Sequence, residues 1–93
     1  MAEVRSGVDA TDQALLDLLE RRFAYMRAAA RIKEARSDVR DEGRKAAVIA
    51  AARAGAEMRG IPIDLVTALW EQLVEGSIAY ELQEWDTIRG GEA

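Results

Sequence analysis

Neither cysteine nor histidine occurs in this chain. Disulfide frameworks, Cys/His zinc sites and Ser-His or Cys-His catalysis are therefore excluded within it. Any acid–base work falls to Asp, Glu, Lys or Tyr. Proline occurs once, as Pro62, and aromatic residues make up only 5% of the chain. The composition is 49% hydrophobic, but much of that is alanine, which favours helix over sheet. No leader pattern and no apolar run of membrane-spanning length is present, so the expectation is a cytoplasmic protein with no membrane partner. The net charge is −4 and the Lys and Arg residues are spread along the chain. That distribution argues against nucleic acid as the main partner.

What is present reads as one all-α domain spanning residues 1–93, with three helices at about 3–35, 42–58 and 62–88, one long and two shorter. In the first, Arg5, Val8, Asp12, Leu15, Leu19, Arg22, Met26, Ala29 and Lys33 recur at alternating spacings of three and four, a heptad seam. Val4, Thr11, Leu18, Tyr25 and Ile32 flank it. The polar stretch "RSDVRDEG" follows, with a helix start signal at Asp41. The second helix carries the alanine-rich run "KAAVIAAARAGA", which lets neighbours approach closely. "RGIPID" is a turn, and Pro62 suits the first turn of the third helix. "RGGEA" is expected to be a frayed end.

A helix of about 30 residues is about 45 Å long, whereas a compact chain of this size has a radius of gyration near 12 Å, to within about 1 Å. The first helix must project from its own subunit, and the shorter helices cannot cover its seam. A homodimer with the long helices side by side is the simplest solution.

Two cations interrupt that seam. Arg22 and Lys33 lie about three turns apart, with about 20° of rotation and about 16 Å of rise between them. A buried unpaired charge is costly. Either Asp and Glu from the other helices pair with them, or they reach for solvent, or a small dianion sits between them. Arg5 continues the heptad but lies about 25 Å from Arg22. Its own subunit cannot bring it to the same pocket; an antiparallel partner can.

The ordered set "VRSGVDATDQALLDLLERR", "AARIK", "VRDEGR" and "SIAYE" resembles the all-helical class of chorismate mutases, including related isochorismate-pyruvate lyases, over nearly the whole chain. The resemblance implies an intertwined homodimer with two shared sites and no cofactor or metal. It implies that Arg22 grips one substrate carboxylate, with Arg5 of the second subunit near the other. Lys33 is to hold a carboxylate and the ether oxygen, with Arg44 at the mouth. Asp41 takes the ring hydroxyl, Ser77 contacts a carboxylate, and residue 81 donates to the ether oxygen. The implied reaction is the Claisen rearrangement of chorismate to prephenate. It needs a flexible dianion held in a reactive conformer and stabilisation of charge on the ether oxygen, which cations and donors supply.

Two positions depart from the usual mutase pattern. Lys45 stands where a glutamate normally binds the substrate hydroxyl, and Glu81 where glutamine is typical. An ionised carboxylate cannot donate a hydrogen bond, so Glu81 must carry a proton to act, and activity is expected to rise at acidic pH. The 33–44 loop is one residue shorter than in typical mutases. That loop, Lys45 and the tail "IAYELQEWDTIRG" are lyase-like. Isochorismate-pyruvate lyase, alone or beside mutase activity, is thus the alternative, and a non-catalytic helical dimer is the remaining one. Trp70 and Trp85 are expected to pack. Glu20, Arg21, Glu84 and Asp86 are expected to face solvent, and Arg27, Arg31 and Arg36 to lie outside the pocket.

Overall fold

The computed structural model describes residues 1–90, and residues 91–93 of the expected frayed end lie outside them. Three helices, α1 (Ala2–Ile32), α2 (Glu42–Arg59) and α3 (Ile63–Gly90), are joined by a single 3₁₀ turn (Arg36–Asp38) and a tight corner. The described residues contain no strand. Among them, no helix is long and apolar enough to cross a membrane.

Local chemistry sets most of the boundaries. Asp41 is the N-cap of α2, its Oδ1 accepting from the Arg44 backbone N–H at 2.9 Å. α2 stops at Gly60, whose φ of 67° is left-handed. The Gly60 N–H reaches Glu57 O at 3.2 Å and the Ile61 N–H reaches Ala56 O at 3.1 Å, the paired bonds that close a helix on glycine. Pro62, which has no N–H to offer, precedes α3, and its carbonyl accepts from Val66 N at 3.1 Å.

Two boundaries differ from the sequence expectation. α1 ends at Ile32 rather than near Ala35, because Lys33 takes an extended backbone (φ −65°, ψ 130°). α3 runs to Gly90, so Arg89 is helical rather than frayed, and at 28 residues α3 is nearly as long as the 31-residue α1. The pattern is long, short, long.

α3 is the element against which α1, α2 and the 3₁₀ turn all pack. The buried apolar residues are small: Ala30, Val39, Ala56, Val66 and Val74. Phe23 of α1 and Tyr80 of α3 meet edge to face at 5.0 Å, with the Arg27 guanidinium donating to the Tyr80 hydroxyl at 3.1 Å. Residues 1–18, which include the first seventeen of α1, are all exposed, with Val4, Val8, Leu15 and Leu18 each more than half accessible. The molecule measures 55 × 28 × 16 Å with a radius of gyration of 16.3 Å, well above the roughly 12 Å of a compact chain this long.

An ion network ties the 33–41 segment and α2 to α3. Arg40 makes two bonds to Glu75, at 2.8 and 3.1 Å, and a third to Glu42 at 2.9 Å. Lys45 Nζ reaches Glu71 at 2.7 Å and Glu75 at 2.8 Å. Hydrogen bonds from Arg40, then from Lys45, pull the Glu75 carboxyl from its ordinary 4.5 down to about 2. A depressed folded value means that this stabilisation is complete above about 4.5 and is lost as pH falls toward about 2. Melting curves should accordingly place Glu75→Gln below the parent protein at neutral pH, with the two converging near pH 2. High salt should narrow the gap, since the network is exposed. Equal melting temperatures at neutral pH and low salt would remove the network from the stability of the fold.

Candidate functional site

The seam residues Arg22, Met26, Ala29 and Lys33 of α1 face a cleft of about 370 Å³, a size suited to a small ligand. Asp38, Val39 and Asp41 close one end. Arg44, Lys45 and Val48 of α2 form one wall, and Val74, Ser77, Ile78 and Glu81 of α3 form another. Of the residues singled out in the sequence, Arg22, Lys33, Asp41, Arg44, Ser77 and Glu81 all line this cleft. Arg5 does not; it is exposed on the projecting half of α1.

The charges of the cleft are unevenly matched. Lys33 Nζ donates to Glu81 Oε2 at 2.7 Å, and Glu81 is only 4% exposed. Asp38 Oδ2 accepts from the Ala35 N–H at 3.3 Å, and Asp41 Oδ1 is taken by its capping bond. Lys45 is held by two carboxylates. Their hydrogen bonds, Glu71 first and Glu75 second, raise the proton affinity of its amine. It is a satisfied cation, and Glu71 and Glu75 are the partners that sequence reading missed.

Arg22 and Arg44 have no carboxylate partner among the described residues. Half-buried Arg22 donates to the buried Ser77 hydroxyl, which in turn donates to Leu73 O at 2.6 Å. Burial, and after it the charge of Arg44, lowers the proton affinity of the Arg22 guanidinium. Two guanidiniums that repel each other across a partly dry cleft are relieved by an anion placed between them.

The lower part of α3 contains what the sequence did not disclose. Trp85 is more than a packing residue: its Nε1–H donates to Lys33 O at 3.1 Å. Arg89 donates to Lys33 O at 2.7 Å and Ala30 O at 2.9 Å. Asp86, expected to face solvent alone, is half-exposed and pairs with Arg36 at 2.8 Å. The readable signal was the four-residue spacing of Ser77, Glu81, Trp85 and Arg89, one stripe of a helix.

Compared with known proteins, the chain is 29% identical to the isochorismate pyruvate lyase of Pseudomonas aeruginosa over 90 residues, 97% of this chain and 89% of that protein. Residues 4–82, which hold both walls of the cleft, match the chorismate mutase type II family. With three helices, no strand among the described residues and a cationic cleft on the α1 seam, this chain belongs to the chorismate mutase type II family.

Proposed function

We propose that the chain is a chorismate mutase, converting chorismate to prephenate. The observation that carries this reading is the opposed pair Arg22 and Arg44, without carboxylate partners among the described residues, in one cleft with Lys33. In the rearrangement the ether C–O bond breaks as a C–C bond forms, with no net proton transfer. Arg22, backed by Ser77, grips one carboxylate. Lys33 swings its amine from Glu81 to the substrate, and protonated Glu81 donates to the ether oxygen where charge develops. Asp41 orients the ring hydroxyl through the oxygen that does not cap α2, and Arg44 screens the mouth. The exposed apolar residues of α1 support a homodimer, in which Arg5 of a second copy completes the site.

A second reading is elimination of pyruvate from isochorismate to give salicylate. The similarity to a protein of that name supports it, as does Lys45, a residue already neutralised by Glu71 and Glu75 rather than a hydroxyl acceptor. The deciding experiment offers chorismate and isochorismate separately and follows prephenate formation and salicylate fluorescence. Turnover of chorismate supports the first reading, and salicylate from isochorismate alone replaces it with the second. Turnover of neither leaves a non-catalytic helical module.

A further inference from the structure

Three side chains of α3 converge on the residue that follows α1. Glu81, Trp85 and Arg89 stand four residues apart on a single stripe and all reach Lys33. Glu81 takes the amine at 2.7 Å. Trp85 Nε1 and Arg89 Nη2 take the backbone carbonyl of the same residue, at 3.1 and 2.7 Å. The Arg89 guanidinium lies over the Trp85 indole, 4.3 Å from the ring centroid.

The last carbonyls of a helix lack helical partners and commonly find them through a glycine in the left-handed region. α1 has no glycine there. Its chain leaves the helix at Lys33 with extended backbone, and the Ala30 and Lys33 carbonyls are satisfied from α3 instead. A cation at this end also suits the helix dipole. The consequence reaches the cleft. Lysine places its charge at the end of a flexible four-carbon stem, so the place of its Nζ is defined only when both the backbone and the tip are held. The indole and guanidinium hold the Lys33 backbone, and Glu81 holds the tip.

We propose that Trp85 and Arg89 are positioning residues that set where the Lys33 amine stands in the cleft. They touch no reacting atom. The inference rests on the reading of Lys33 as a substrate-binding group, and it adds a residue pair outside the cleft lining to the machinery of that site.

Lysine occurs only at positions 33 and 45, so the side-chain amine spectrum of lysine-labelled protein contains two signals, and Lys45 serves as an internal control. In Arg89→Ala and in Trp85→Phe, which keeps a ring but removes the N–H, the Lys33 Cε–Nζ signal should move toward that of a solvent-exposed lysine while Lys45 stays in place. On whichever substrate the parent protein accepts, kcat should fall on the order of 10- to 100-fold, as misplacement by about 1 Å costs. KM should change by less than about threefold if ground-state binding by Arg22 persists. Arg89→Lys, which returns one donor to the carbonyl, should recover part of the loss. A merely structural cap would lower thermal stability without this kcat-selective effect or partial rescue. Should Arg89→Ala fail to fold, Trp85→Phe carries the same test. An unmoved Lys33 signal, or unchanged kcat in an active protein, overturns the proposal. A moved Lys33 signal in a protein that turns over neither substrate retires the enzyme reading while the positioning of Lys33 stands.

Discussion

Replacing Arg22 by alanine is expected to lower kcat/KM by on the order of 10³-fold, the scale of losing a charged group preorganised for a developing anion. The fold should survive. Within the described residues Arg22 has a hydroxyl for a partner rather than a carboxylate, and it faces the like charge of Arg44. Removing it leaves no buried carboxylate without its counter-charge, so stability should change by less than about 1 kcal/mol, a shift of no more than about 6 °C in Tm. The two halves together discriminate between readings. In a helical scaffold the substitution is neutral or stabilising, with no activity to lose. In the enzyme it separates function from folding. Melting curves by circular dichroism and steady-state kinetics on the same samples check both, and a variant that stays folded and keeps its rate would remove Arg22 from the site.

The second large effect belongs to Glu81. This carboxyl is buried and bonded to the Lys33 amine. In the ionised form it accepts from Lys33 and has nothing to donate. A protonated carboxyl or an amide donates, and either one releases the lysine charge for substrate. Glu81→Gln, which places an amide donor where the carboxylate pairs with Lys33, should raise the rate on the order of 10-fold, within the range that one positioned donor contributes. Glutamine retains an oxygen to accept from Lys33, so the variant should fold. Steady-state rates identical to those of the parent would show that residue 81 donates nothing to the reaction.

Much of the architecture was legible because its causes are local. Asp41 caps α2 through its own side chain, and "RGIP" closes one helix on glycine and opens the next after proline. The heptad pattern placed Arg22, Met26, Ala29 and Lys33 on one face, and they do share one cleft. The projection of α1 followed from counting its residues against the size of a compact chain. The end of α1 was not legible in this way. "RIKEARSD" contains neither glycine nor proline, and its Lys, Glu, Ala and Arg are good helix formers. Where the helix stops, the Lys33 carbonyl is met by a pair of donors more than fifty positions downstream, Trp85 and Arg89. The state of Lys45 was hidden for the same reason, since Glu71 and Glu75 lie on a different helix.

By itself, then, the sequence determined the helices, their start signals, the shared face of the two cations and the exclusion of histidine and cysteine chemistry. Those features depend on composition and on contacts within a turn or two of helix, where spacing alone sets geometry. Only the tertiary structure decided which cations are spent and which are available. Lys45 is satisfied by α3, Lys33 is paired but held by a clasp, and Arg22 and Arg44 face each other across the cleft. Such pairings depend on distances of a few ångströms between helices far apart in sequence, because the strength of an ion pair falls with separation and rises with burial. No periodicity along the chain encodes them.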